Sequence, residues 1–369
     1  MKPRVLFVSR RVELPLSASL ERKWNAVGRE LDYRVLAGGD GDDGRFRLAP
    51  ELPALDGAAF FAALPVRIAR ELREFRPHAV LAQGAHETAA ALAARRLARV
   101  DTAVIADVHG DWRAPTRLYG SRLRTALNPV ADRVALSGLR NADGIRTVTG
   151  YTTSLVREVG LEPADEFPAF MDFDSFLQEP TQPLPDTPRA LFVGVLERYK
   201  NVDGLAAAWR LVQEQLPDAR LHVVGRGRER EVIERLVSDV PGVEWDETLP
   251  PERVVEALDR SAALLLPSNS EGLGRVVIEA FLRGRPVVGA RVGGIPDLVR
   301  DGKNGLLVDP RDPGTIAAAT VRVLSDRALA ERLGAAARHT GETWGVTPAE
   351  YAEKLRTLVE TCASRSSSS

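Results

Sequence analysis

Cysteine is almost absent: Cys362 is the single one in 369 residues. One thiol excludes an internal disulfide framework and any cysteine-rich metal site. Long apolar runs are also missing. The amino terminus, Met1-Lys2-Pro3-Arg4-Val5-Leu6-Phe7-Val8, has only a short apolar stretch before Ser9-Arg10-Arg11. That is too short for the hydrophobic region of a signal peptide, and no later run nears the ~20 residues that span a bilayer. An excess of one charge is lacking too: 50 Lys plus Arg against 51 Asp plus Glu gives a formal net charge of −1. That balance argues against a nucleic-acid partner. These absences describe a soluble cytoplasmic protein. Lysine is scarce: Lys2, Lys23, Lys200, Lys303 and Lys354 stand among 50 basic residues. With so many alanines, the Arg bias reads as GC-rich codon usage. An Arg cluster therefore means less than usual here, and a loop lysine means more.

What is present is alternation. A composition of 44% hydrophobic and 27% charged residues fits a globular chain, and this length suggests two domains of roughly 180 residues. Short β-rich runs at Val5–Val8, Tyr33–Leu36, Ala79–Ala82, Ala103–Ala106 and Gly144–Val148 alternate with helical patterns at 20–31, 60–75 and 88–99. A second series runs through Ala190–Gly194, Leu221–Val224, Ala262–Leu266, Pro286–Val288 and Gly305–Val308. Strands alternating with helices predict an α/β fold of parallel sheets covered on both faces, one doubly wound Rossmann-like sheet per half. Between the halves, Glu179-Pro-Thr-Gln-Pro-Leu-Pro-Asp-Thr-Pro188 reads as a semi-rigid linker. The expected organisation is a domain over 1–180, a linker at 181–188 and a second domain over 189–345. A helix at 346–362 is expected to pack back on the first domain, followed by a disordered tail at 363–369.

The segment richest in chemistry follows the strand Ala262–Leu266. A polar loop, Pro267-Ser-Asn-Ser-Glu271, leads into Gly272-Leu273-Gly274-Arg275 and a helix. Glycines let a ligand approach the backbone, and first-turn N–H groups with the helix dipole attract an anion. Glu271 stands at the mouth and Glu279 follows eight residues on. If both lie along the helix, a ~1.5 Å rise per residue separates their carboxylates by ~12 Å. That span suits a ligand with hydroxyls at both ends and a diphosphate between them.

Glu271-x7-Glu279, with Gly284-Arg-Pro-Val-Val, Gly293-Gly294-Ile-Pro-Asp297 and Asp301-Gly-Lys-Asn-Gly305-Leu-Leu-Val, resembles the signature of the family 4 retaining glycosyltransferases of GT-B fold. Shorter segments extend the resemblance into the first half: Asp107-Val-His109-Gly110, Arg146-Thr-Val-Thr149 and Phe167-Pro-Ala-Phe-Met-Asp172. The resemblance implies two Rossmann-like domains facing across a cleft, with the acceptor on the first half and a nucleotide diphosphate sugar on the second. It implies that Glu271 contacts the donor sugar and supports the transition state, and that Glu279 accepts hydrogen bonds from the ribose. Backbone N–H groups at Leu273, Gly274 and Arg275 would hold sugar and diphosphate. Lys200 would neutralise the diphosphate, His109 would lie near donor sugar and acceptor, and Gly225 would shape a neighbouring turn. It implies no cofactor and no metal. Read without the resemblance, the two glutamates could cap and solvate a helix, and Gly225-Arg-Gly227 could be a tight strand-to-helix turn.

Two departures from the family's pattern stand out. Val195 occupies the place where the family usually carries an Arg; by sequence, Arg198 and Arg275 are the nearest replacements. The first loop, Ser9 to Ser19, lacks the usual Gly-Gly pair, so the acceptor cannot be inferred from the family: glycan, lipid-linked and small-molecule acceptors all stay open. A separate feature is the basic stretch 113–140, with Arg113, Arg117, Arg122, Arg124, Arg133 and Arg140 against Asp132 alone. Its interleaved Trp112, Leu118, Tyr119 and Leu127 allow docking on an anionic membrane surface at the inner face of the cell membrane, or a plain Arg-rich surface helix. The expected function is transfer of a hexose, with retention, to an acceptor hydroxyl in cell-surface glycan or glycolipid synthesis. A GT-B nucleotide-sugar epimerase and a non-catalytic nucleotide-sugar-binding protein are the alternatives.

Overall fold

The computed structural model describes residues 2–41, 43–49, 56–114 and 122–366. Contacts divide the chain into two units, Met1–Phe170 with Val346–Ser369, and Met171–Gly345. Among the described residues, unit 1 holds β1 (Arg4–Arg11), β2 (Asp32–Gly38), β3 (Phe46–Ala49), β4 (Ala79–Gln83), β5 (Ala103–Val108), β6 (Gly144–Thr147) and β7 (Asp165–Glu166). They lie in the order β3-β2-β1-β4-β5-β6-β7, paired in parallel. The period of two along a strand splits β1 between two cores. Val5 and Phe7 join Trp24, Tyr33 and Leu355, whereas Leu6 and Val8 join Leu64, Ile68 and Leu72.

Unit 2 repeats the arrangement with β8 (Arg189–Val193), β9 (Arg220–Val224), β10 (Val243–Asp246), β11 (Ala263–Leu266), β12 (Val287–Ala290) and β13 (Gly305–Val308). Their order is β10-β9-β8-β11-β12-β13, again parallel. Both sheets are doubly wound, as the alternation predicts. In each, strand order reverses beside the first strand: between β1 and β4, and between β8 and β11. Ligands of open α/β sheets bind at the carboxyl ends of strands flanking such a reversal.

Three strands carried no apolar run in the sequence: β3, β7 and β10. All lie at sheet edges, where one flank faces away from the neighbouring strands and polar residues such as Asp165, Glu166, Glu244 and Asp246 are tolerated. The expected boundary also moves. The division falls after Phe170, and the proline-rich stretch packs on unit 2 instead of standing free. The cause is hydrogen bonding. Arg283 donates to the carbonyls of Phe176, Glu179 and Pro180, and Arg285 to those of Gln182 and Pro183. The expected tail is partly helix: the last helix runs from Pro348 to Ser366, and 367–369 lie outside the described residues. Tyr351, Leu355, Leu358, Val359 and Cys362 place that helix in the core of unit 1.

Candidate active site

The reversal point of unit 2 carries a pair of opposite charges. After β8 the chain forms a short turn at Arg198–Lys200, closed by Asn201 in the left-handed region at φ 57°. The Asn201 amide donates to the carbonyls of Pro267 (3.0 Å) and Pro310 (2.7 Å). The Asn269 N–H donates to the Tyr199 carbonyl at 2.7 Å. These bonds tie the loop after β8 to the loops after β11 and β13. Across the join, Lys200 Nζ donates to Glu271 Oε2 at 2.5 Å, with the two side chains only 10% and 14% exposed. Sequence reasoning named both residues; the structure brings them together.

The Gly293-Gly294 turn supports this glutamate from behind. The Gly294 N–H donates to the Glu271 carbonyl at 3.0 Å. A Cβ at Gly293, whose φ is +58°, would stand 2.0 Å from that same oxygen. No side chain fits there without displacing Glu271. Gly225 plays a similar part: its Cβ would lie 1.9 Å from the Gly194 carbonyl, so only glycine lets the turn after β9 close on the loop that leads to Lys200.

Gly274, at φ 78°, precedes the helix Arg275–Leu282. Glu271 therefore lies in the loop before the helix, and helical rise does not set its distance from Glu279, contrary to the expectation above. Glu279 is buried on that helix, where Arg275 Nε donates to its Oε1 at 2.7 Å. Burial pushes the Glu279 carboxyl up, against the pull of the Arg275 guanidinium. Arg275 also donates to the Asp172 carbonyl at 3.1 Å. Leu273 packs partly buried against the core beside it. Of the two candidates to replace the cation missing at Val195, Arg275 borders the glycine-led helix start. Arg198 instead reaches Glu229 with its side chain 70% exposed. Arg275→Ala should weaken nucleoside diphosphate binding about tenfold, and Arg198→Ala by less than about threefold. Calorimetric titration separates the two.

In unit 1, His109 follows β5. Its Nε2 lies 2.9 Å from Asp107 Oδ2, while Arg146 Nη1 donates to Asp107 Oδ1 at 2.7 Å. Burial alone would raise the Asp107 carboxyl, but Arg146 and His109 hold it well below the usual carboxylate range. Arg146 is fully buried, lies over the Phe167 ring and donates to the Phe167 and Pro168 carbonyls. At the reversal point of this sheet Ser9 Oγ donates to Gln83 Oε1 at 2.9 Å. Arg146 entered the sequence reading as part of a family segment only, and Asp107 likewise. The available signals were an Arg inside an otherwise uncharged four-residue strand and the i, i+2 spacing of Asp107 and His109.

Lys23 approaches the same cluster, its ammonium over the rings of Trp24 and Tyr351. Burial lowers its pKa to about 8; Asp107 opposes the shift and Arg146 adds to it. A lysine whose folded pKa is depressed opposes folding while charged, so the protein should gain stability as pH rises from about 8 towards the unfolded value near 10.5. Lys23→Met should abolish that gain, read as melting temperature against pH in both proteins.

Two family models match the chain: Glycosyl transferases group 1 over residues 175–340, and Glycosyl transferase 4-like domain over residues 24–167. A GDP-mannose-dependent alpha-(1-6)-phosphatidylinositol monomannoside mannosyltransferase of Mycolicibacterium smegmatis is 30% identical over 270 residues, covering 67% of this chain and 70% of that protein. The chain belongs to the group 1, family 4 glycosyltransferases. This glycosyltransferase is also 35% identical over 163 residues to the sulfoquinovosyl transferase SQD2 of Arabidopsis thaliana, a match spanning 31% of the plant protein. Its match to a D-inositol 3-phosphate glycosyltransferase of Acidothermus cellulolyticus, 33% identical, spans 56% of that protein. Among solved structures, sucrose-phosphate synthase from Thermosynechococcus elongatus superposes with a TM-score of 0.77 at 19% identity, covering 98% of this chain and 99% of that one. Anabaena HepE in complex with UDP-glucose gives 0.69 at 17% identity, covering 98% and 99%. The glycosyltransferase therefore has the two-domain GT-B fold.

Proposed function

We propose that this glycosyltransferase moves a hexose from a nucleotide diphosphate sugar to an acceptor hydroxyl, with retention at the anomeric carbon and without a metal. The observation that carries the reading is the Lys200–Glu271 pair at the reversal point of unit 2, beside a glycine-led helix start and the buried Glu279. A cation and a helix N-terminus suit a diphosphate; carboxylates suit the hydroxyls of sugar and ribose. The reading is supported by relatives named for GDP-mannose and crystallised with UDP-glucose. In the reaction, the acceptor oxygen bonds the anomeric carbon as the bond from that carbon to the phosphate oxygen breaks. The acceptor's proton passes to the departing phosphate. Lys200 and the helix start take the leaving group's charge, the part a divalent ion plays in other enzymes. Glu271 steadies the sugar, and His109 serves the acceptor side.

A relative named for D-inositol 3-phosphate supports a small-molecule acceptor, and the one named for phosphatidylinositol monomannoside supports a lipid-linked acceptor in glycolipid or cell-surface glycan synthesis. Such an acceptor favours peripheral attachment to the inner face of the cell membrane. No helix among the described residues is long and apolar enough to cross a membrane. Residues 115–121 of the basic stretch lie outside the described residues, but on the helix Arg122–Arg140 both Val130 and Val134 are exposed, one turn apart beside Arg133. Flotation with anionic vesicles at low salt is expected to carry the protein up; a protein left at the bottom refutes attachment. For the donor, a thermal-shift panel of UDP-glucose, GDP-mannose and ADP-glucose should show stabilisation by one of them. No shift with any member would remove the donor reading. Anomeric NMR of the product, with and without EDTA, tests retention and metal independence.

A further inference from the structure

The hydrogen-bond pattern around His109 has a consequence for which of its nitrogens can meet a substrate. Asp107 sits near the end of β5, and both of its carboxylate oxygens are engaged: Oδ1 with Arg146 Nη1 at 2.7 Å, Oδ2 with His109 Nε2 at 2.9 Å. Arg146 cannot swing away. Its Nη2 is fixed to the Phe167 carbonyl at 2.9 Å and the Pro168 carbonyl at 2.8 Å, and its Cζ lies 4.0 Å from the centre of the Phe167 ring. An ionised carboxylate has no hydrogen to give and can only accept. The hydrogen in the His109–Asp107 contact must then belong to Nε2. A neutral imidazole carries one hydrogen, so Nδ1 is left with its lone pair. The His109 side chain is 32% exposed while Asp107 is 7% exposed, so the ring is held from its buried edge.

We propose that Asp107, anchored by Arg146, is the positioning residue for His109: it fixes the imidazole as the Nε2–H tautomer and makes Nδ1 the atom offered to a substrate hydroxyl. This rests on the role given to His109 under the proposed function, and it deepens that role. With Nδ1 as an acceptor, His109 can take a hydrogen bond from an attacking or bound hydroxyl. It cannot donate one to a phosphate oxygen through that atom while neutral. A side-chain amide at position 107 would reverse the arrangement. Its oxygen must stay with the guanidinium, since an NH2 group there would meet another donor. The NH2 group then faces His109 Nε2 and forces the hydrogen onto Nδ1.

The first test uses the full-length protein labelled with 15N in its histidines, with two-bond proton–nitrogen correlations recorded near pH 9, where an imidazole is neutral. His109→Gln assigns the signal. The wild type should show Nε2 protonated and Nδ1 bare; an Nδ1–H pattern, or an average of both tautomers, overturns the proposal. The second test measures nucleoside diphosphate release from UDP-glucose or GDP-mannose, whichever the wild type consumes. Asp107→Asn should lower kcat by about tenfold or more, the loss of one hydrogen bond to the substrate hydroxyl, with KM for the donor nearly unchanged. In the His109→Gln background the same substitution should cost less than about threefold, because the residues act as a unit. An equal loss in both backgrounds makes Asp107 structural only and overturns the proposal. If Asp107→Asn does not fold, the tautomer in the wild type still decides. If His109→Gln alone leaves turnover intact, the role given to His109 fails, while the tautomer measurement still judges Asp107.

Discussion

Glu271→Gln is expected to lower turnover by about 10²–10³-fold and at the same time to tighten the binding of free nucleoside diphosphate by about three- to tenfold. The two effects have one origin. The Lys200 ammonium is held by Glu271 at 2.5 Å, with both side chains largely shielded from water. A diphosphate must compete with that carboxylate for the cation. Removing the carboxylate's charge leaves Lys200 available to the phosphate oxygens, so the product-like ligand gains. Transfer loses, because in the proposed reaction Glu271 steadies the sugar as its bond to the phosphate breaks. Lys200→Met should act differently, weakening diphosphate binding and slowing turnover together. Calorimetry with UDP and GDP, set beside steady-state rates, reads both quantities. Diphosphate affinity unchanged or reduced in Glu271→Gln would refute the competition.

Arg283→Met is expected to destabilise unit 2 by about 3–5 kcal/mol, the usual cost of removing one partner of a buried ion pair. Arg283 is fully buried. Its Nε and Nη2 bind the two Asp259 carboxylate oxygens at 3.0 and 2.6 Å, while its guanidinium also donates to the carbonyls of Phe176, Glu179 and Pro180. Methionine fills much of the volume but leaves a shielded carboxylate and three carbonyls without their donor. The melting temperature should fall by roughly 6–20 °C, and amides around 176–183 should exchange faster. Arg283→Met with Asp259→Asn should recover part of the loss by removing a carboxylate charge left with only the Arg285 guanidinium, 3.8 Å away. Arg253→Ala, at an exposed i, i+3 pair with Glu256, should change stability by less than about 1 kcal/mol. A comparable small loss for Arg283→Met would show that the proline-rich stretch is held by something else.

These two arginines at 283 and 285 also mark a limit of reading composition. With 50 basic residues and five lysines, any single Arg looked like codon bias. Burial separates them: Arg283 and Arg285 sit at 0% and 2% exposure and bind backbone carbonyls, which no one-dimensional pattern reveals. Their partners belong to a stretch rich in proline, which supplies carbonyls but few N–H groups. Such a stretch looks like a free linker in sequence and behaves as a strap once donors are placed beside it. The same contrast holds for the sheets. Central strands were legible because both faces are buried and their residues run apolar. The edge strands β3, β7 and β10 were not, because a half-covered strand needs no such run, although the fourth edge strand, β13, carries one.

For the proposed donor site, sequence alone singled out Glu271, Glu279, Lys200 and the glycines at 274, 293 and 294. Ligand approach and tight turns demand particular residue types at particular spacings, and spacing survives in one dimension. The tertiary structure decided which charges meet. Lys200 and Glu271 stand 71 positions apart and Asp107 and Arg146 39 positions apart, yet each pair lies within hydrogen-bond distance. Parallel sheets cause this. Neighbouring strands are joined through intervening helices, so residues at adjacent carboxyl ends are necessarily distant along the chain. Alternation of strand and helix could predict such an edge; only the strand order could say which side chains share it.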